Sequence, residues 1–329
     1  MTAHAPGDPP AHIEPAGAKP IELVRYSPDR KDQWDACVSA AVNQHLLFYR
    51  NYMDYHSDRF ADHSLMAFRD GALVGVFPAN ESGGTLYSHQ GLTFGGFLHG
   101  PKVYAADVVA VVAALQSYMR AQGLTRLVCK PAPFAYASAP CEALQYALYC
   151  AGAQVLERHL STAIDFRNPL PMSELRRRGV KKALKAGVCV ADSEDWDGFL
   201  AMLAQSLERH GVAPKHVAGE LALLHGRFPE HIRLVVASSG GVMLAGVLLY
   251  LTNCAAHTQY ISVSPEGQRV GALDLLMHTL IEEQRLLRRY FCFGVSTEDD
   301  GRVLNHGLQH QKEGFGGRAM LHDIFELKA

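Results

Sequence analysis

The sequence holds no apolar run long enough to cross a bilayer. A spanning helix needs roughly 20 such residues, and the nearest approach, VVAVVAALQSYM, is bracketed by Asp107 and Arg120. It also lacks a charge imbalance. With 31 basic and 33 acidic residues the formal charge is -2, so nothing draws the whole chain to DNA, and any polyanion site must come from a local cluster. Paired cysteine motifs are missing too. The seven cysteines (37, 129, 141, 150, 189, 254 and 292) are odd in number and sit mostly in apolar segments. They form no CxxC and no Cys/His pair at zinc spacing, which reads as small core residues in a reducing cytoplasm. His306 and His310 are spaced i, i+4 but find no third ligand, so no metal is expected. The first twenty residues, MTAHAPGDPPAHIEPAGAKP, have neither the basic start nor the apolar core of a signal peptide and read as a disordered leader over 1–20.

What is present is ample for folding. The 329 residues are 48% hydrophobic and 19% charged, a globular composition with length for two ordinary domains. KDQWDACVSAAVNQ reads as a helix, and SLMAFRDGALVGVFPAN as two strands around Asp70-Gly71, a strong hairpin signal. TLYSHQGLTFGGFL reads as a strand ending in glycines. In DVVAVVAALQSYMRAQG, apolar residues at 108, 111, 112, 115 and 119 form a helical stripe closed by Gly123. LTRLVCKP, CEALQYALYCAG and QVLERHLSTAIDF follow as strand, helix and strand.

The second half repeats that order. DWDGFLAMLAQSLERHG is a helix, IRLVVASSGGVMLAGVLLYLT a hairpin over residues 239–241, and AHTQYISVS a strand. SPEGQRVGALDLL is a turn opening an amphipathic helix, RYFCFGVS a strand, LNHGLQHQKEGFG a helical stretch and AMLHDIFEL the last strand. Such a repeat suggests two copies of one α/β fold, each a mixed antiparallel and parallel sheet flanked by helices. The copies are expected at 21–167 and 168–329, with the boundary at RNPLPMSELRRRG, where Pro169 and Pro171 interrupt both patterns.

Helix, hairpin, strand, turn, helix, strand, helix, strand is an order that resembles the GNAT acyltransferase fold, and its tandem form resembles the FemAB-like group of paired GNAT domains. SELRRRGVKKALKAGV, SPEGQRVGALDLL and YFCFGVSTED…LNHGLQHQKEGFGG carry the likeness. The resemblance implies an acyl- or aminoacyltransferase, with acyl-CoA or aminoacyl-tRNA as co-substrate and no tightly bound cofactor. In GNAT enzymes the turn before the central helix holds the pyrophosphate of coenzyme A on backbone N–H groups. Gln268, Arg269, Val270, Gly271 and Ala272 stand there, with Leu273 where a small residue belongs, and FemAB-like enzymes, which use charged tRNA, often lose this motif. The strand before the turn, with Tyr260 and Ser262, would hold the donor's arm.

Each remaining candidate has a functional and a plain reading. His257 is either the base that takes the amine's proton or a hydrogen-bonded rim histidine. By period two it should share one strand side with Gln259, with Thr258 and Tyr260 opposite. Glu298 and Asp299, where an apolar strand turns polar, either serve as base and acceptor contact or lie in a solvated loop. Lys312 precedes Gly314-Phe315-Gly316 and resembles the family's lysine before its Phe-Gly close. It either stabilises charge on the acyl oxygen or is a surface lysine favoured by the helix dipole. In RRRGVKKALK, Arg177, Lys181 and Lys185 share one helix face without acidic partners nearby, which suits a phosphate-bearing substrate such as tRNA or a nucleotide-sugar, or else a solvated helix. In the first copy Tyr49, Tyr52 and His89 are assigned to acceptor binding. The expected activity is transfer to an amine of cell-envelope or amino-sugar type. A binding protein on a degenerate double-GNAT scaffold is the alternative, favoured by Leu273 and by Cys292, where FemAB relatives often carry Asp.

Overall fold

The computed structural model describes residues 19–208 and 213–329; the expected leader lies outside them except for Lys19 and Pro20. The chain divides into two compact units. One holds the described residues up to Arg158 together with His322–Ala329; the other is His159–Leu321. The division falls inside the strands Gln154–Asp165 and Arg318–Lys328, not at the prolines near 168–171. Prolines interrupt periodicity, whereas a chain that changes unit within a strand keeps its pattern and leaves no composition signal.

In the first unit, Glu22–Arg25 pairs antiparallel with Leu65–Arg69, which forms a hairpin with Ala72–Phe77. Asp70 and Gly71 make that turn at φ 55° and 73°, the left-handed geometry that Asp-Gly accepts. A second set of strands runs from Ala61–Asp62 through Asn80–Ser82, Thr85–Tyr87 and Arg126–Cys129 to the end of Arg318–Lys328. Thr85–Tyr87 and Arg126–Cys129 are parallel, joined by the crossover helix Ala105–Ala121. That helix buries Val108, Val111, Val112, Leu115 and Met119, the stripe expected from its period. The expected long strand after Thr85 stops at Tyr87. Residues 88–97 form a tight irregular loop instead, with His89 at φ 68° and no room for a side chain at Gly95, where a Cβ would lie 1.9 Å from the Ser88 carbonyl oxygen.

In the second unit, Cys189–Ser193, Ile232–Ser239, Val242–Leu251 and Ala255–Val263 pair antiparallel in that order. Ala255–Val263 then pairs parallel with Tyr290–Val295, which pairs antiparallel with Gln154–Asp165. Its core packs Val247, Leu249, Ala256, Leu276, Leu280 and Phe291 between the sheet and the helix Ala272–Arg285. The helix Trp196–Glu208 buries Trp196, Phe199, Met202 and Leu203. The strand Cys189–Ser193 and the helix Ala218–Arg227 are additions to the expected order. Among the described residues no helix is long and apolar enough to cross a membrane.

Candidate active site

Two irregularities open the sheet of the second unit. The register of Val242–Leu251 with Ala255–Val263 shifts so that Leu248 faces Tyr260 while Leu249 faces Thr258, leaving Gln259 as the bulged residue. Antiparallel partners share a face. Val247, Leu249 and Leu251 belong to the core, so their partners Ile261, Thr258 and Ala256 face it too. His257, Tyr260 and Ser262 therefore lie together on the opposite face, which corrects the grouping expected from strict period two. The extra residue moves Tyr260 across. The parallel pairing with Tyr290–Val295 ends at His257 and Cys292. A second bulge follows between Cys292 and Gly294, with Gly294 at φ 71°. A Cβ on Gly294 would meet His257 Cε1 at 3.6 Å, so the imidazole sits where the strands part.

On this face Tyr260 Oη lies 2.7 Å from His216 Nδ1, with the rings edge to face at 5.7 Å. His216, just before the helix Ala218–Arg227, carries no sequence motif, which is why it escapes a reading by pattern. Ser262 is buried, and its hydroxyl finds no hydrogen-bond partner among the described residues, an uncommon state for a buried polar group.

Lys312 is buried in the helix His306–Gly314. Its ammonium donates to the carbonyl oxygens of Gly294 at 3.0 Å and Val295 at 2.5 Å, and to Ser296 Oγ at 2.9 Å. Burial draws its pKa down to about 7, against three oxygens that favour the charged form. An ammonium has three donors, and all three are engaged on the strand end that the bulge frees. Lys312 thus holds the splay open instead of sitting on the surface. Glu298 and Asp299 are exposed on the hairpin of Thr297–Glu298 with Val303–Leu304. Glu298 accepts from Asn305 Nδ2 at 2.7 Å, and Asp299 makes the turn at φ 48°.

The turn at 268–272 is not an open phosphate loop. Residues Pro265–Val270 form a short helix, capped by Ser264 Oγ accepting the Gly267 N–H at 3.0 Å. Gly271, at φ 80°, starts the helix Ala272–Arg285. Gln268 and Arg269 are exposed, with Arg269 paired to Glu266 at 2.6 Å, while Val270, Gly271, Ala272 and Leu273 are buried. The helix Glu174–Lys185 covers them. A Cβ on Gly271 would lie 2.5 Å from the Gly179 carbonyl oxygen, and Arg176 bonds Asp274 at 2.9 Å beneath it. Burial raises the Asp274 pKa, partly offset by Arg176. Gly271 is glycine because another backbone packs on it, and Leu273 is a core residue.

The outer face of the same helix is cationic. Arg177 and Arg178 are answered by Glu174 at 2.7 and 3.9 Å, which corrects the expectation of no acidic complement. Lys181, Lys182 and Lys185 are exposed and carry no ion pair among the described residues. In the first unit, Tyr52 and His89 are buried, and Tyr49 accepts from Gln44 Nε2 at 2.7 Å. The His89 ring stacks on His56 at 5.1 Å. Burial, with lesser contributions from His56, Lys130 and Arg50, lowers its pKa to about 3. Tyr52 and His89 are packing residues of that unit, not an open acceptor wall.

Residues 174–300 match the family model for the acetyltransferase (GNAT) domain. The structure of FemX matches with a TM-score of 0.67 at 14% identity, covering 94% of this chain and 97% of that one. A C-terminal domain from Agrobacterium fabrum (DUF2156) matches at 0.59 and 12% identity, over 90% and 91% of the two chains. L-PGS from Bacillus licheniformis matches at 0.54 and 10%, over 77% and 81%. No curated protein gives a significant match. The second unit thus contains a GNAT domain, and the chain has a mixed α/β, FemX-like tandem GNAT fold. At these identities the structural likeness is one of fold.

Proposed function

We propose that this protein is an N-acyltransferase that takes an aminoacyl group from a charged tRNA and passes it to a primary amine of cell-envelope or amino-sugar type. One observation carries the choice of donor. The helix Glu174–Lys185 closes the turn at Gly271 with its inner face and presents Lys181, Lys182 and Lys185 to solvent with its outer face. A backbone turn suits a single pyrophosphate, whereas a row of lysines suits a chain of phosphates. The FemAB-like resemblance supports the same donor.

The reaction needs no covalent enzyme intermediate, because an aminoacyl ester already has a good leaving group. The amine nitrogen attacks the ester carbonyl, the C–N bond forms, the ester C–O bond breaks, and the amine's proton ends on the departing ribose oxygen. His257 and the Tyr260–His216 pair lie on one face where the strands part, and they supply groups able to take and return that proton. Lys312 acts by fixing the strand end beside them.

The test is transfer of radiolabelled amino acids from total charged tRNA to glucosamine and to a lysine-containing cell-envelope peptide, beside a parallel assay of thiol release from acetyl-CoA. Transfer from tRNA alone supports the proposal. Thiol release without transfer from tRNA would move the donor to coenzyme A, and neither activity with intact tRNA binding would favour the binding-protein reading.

A further inference from the structure

The first unit contains a hydrogen-bonded chain, Glu81–His63–Tyr118, that the transferase reading does not use. Ala61 faces Glu81 across a short antiparallel pair, so His63, two residues on, falls on the same side as Glu81. His63 is buried. Its Nδ1 lies 2.9 Å from Glu81 Oε2, and its Nε2 lies 2.9 Å from Tyr118 Oη, on the helix Ala105–Ala121. Tyr118 stands in the wall of a cleft of about 310 Å³ that is otherwise lined chiefly by Ile21, Leu23, Ala110, Ala113 and Ala114. Ser117 also borders it, but its hydroxyl donates to the Ala113 carbonyl oxygen and accepts from Arg120.

The direction of each hydrogen bond follows from donor counting. Burial, and then Arg25, lower the His63 pKa, so the ring is neutral and carries one N–H. A carboxylate offers only acceptors, so that N–H is on Nδ1 and points at Glu81. Nε2 is then a lone pair, and Tyr118 must give it the phenolic proton. The Tyr118 oxygen is left with acceptor capacity only, and it meets no second partner among the described residues.

We propose that this cleft is a second binding site, for a small apolar molecule carrying one hydrogen-bond donor, an alcohol or an amine, which bonds to Tyr118 Oη. The volume is at the lower end of ligand clefts, and the lining has their usual character, apolar walls with a single placed polar group. A hydrophobic ligand with only acceptors would set two lone pairs against each other and bind less well.

The experiment uses the full chain with ¹³C-methyl alanine, so that Ala110, Ala113 and Ala114 report directly on the cleft. Benzyl alcohol, benzylamine and acetophenone share a ring of one size; the first two donate and the third only accepts. Benzyl alcohol or benzylamine should shift those three methyls, and Tyr118→Phe, which keeps the ring and its packing, should weaken that binding roughly tenfold. Acetophenone should bind wild type no better than the variant. Separate responses to the alcohol and the amine decide which donor the site takes. Equal affinity for acetophenone, no response of the methyls to any of the three, or a His63 ring protonated on Nε2 by ¹H–¹⁵N correlation would each overturn the proposal. None of these readouts depends on acyl transfer.

Discussion

Gly179 and Gly271 meet backbone to backbone: a Cβ on Gly271 would stand 2.5 Å from the Gly179 carbonyl oxygen. That contact seats the basic helix on the start of the central helix. Gly271→Ala should therefore act on stability. Its φ of 80° is costly for any residue with a Cβ, and the clash is with backbone that cannot swing aside. A loss of about 2 kcal/mol or more is expected, read by urea denaturation. A variant as stable as wild type would show that the two helices are not in contact.

Lys181→Glu, Lys182→Glu and Lys185→Glu combined should leave the fold intact, because all three side chains are exposed and such changes stay within about 0.5 kcal/mol each. Binding of total tRNA should fall at least tenfold. The slope of log affinity against log salt should flatten by roughly 0.7–0.9 for each lost phosphate contact. Unchanged salt dependence in a filter-binding series would remove this helix from donor recognition.

Lys312 makes a pH prediction with a definite sign. Its folded pKa of about 7 lies below the ordinary 10.5. Between those values the unfolded chain holds a proton that the folded chain has released, so stability from this group rises with pH. Below pH 7 both states are charged and burial costs most. Against Lys312→Met, wild type should gain up to about 1.4 kcal/mol per pH unit from pH 7 to 10. Chemical denaturation of both proteins at several pH values measures it. A flat difference would mean that the carbonyls of Gly294 and Val295 keep the ammonium charged throughout.

Tyr260→Phe keeps the ring on its strand and removes the hydroxyl that meets His216. If the pair carries the amine's proton, transfer should slow by about 10²-fold, the low end of general acid–base effects, with the donor's affinity unchanged. Full activity with an unaltered pH profile would assign the proton to another group.

Local pattern carried the reading wherever a segment's own period decides its structure. The stripe at 108, 111, 112, 115 and 119 is the buried face of the helix Ala105–Ala121, and Asp70-Gly71 turns its hairpin, because helical period and turn geometry involve only neighbouring residues. The order of elements, and with it the tandem GNAT fold, followed for the same reason. The site was legible only in part. Lys312 and the splayed strand could be pointed to, yet one bulge at Gln259 brought Tyr260 to the side of His257, and no periodic rule anticipates an inserted residue. Gly271 matches a phosphate motif, but the backbone that packs on it is that of Gly179, far away in the chain. His216 became visible only through its bond to Tyr260. Periodicity is a property of neighbours along the chain and can be read there; which side chains share a face, and which backbone closes on which, depend on contacts distant in sequence, and only tertiary packing decides them.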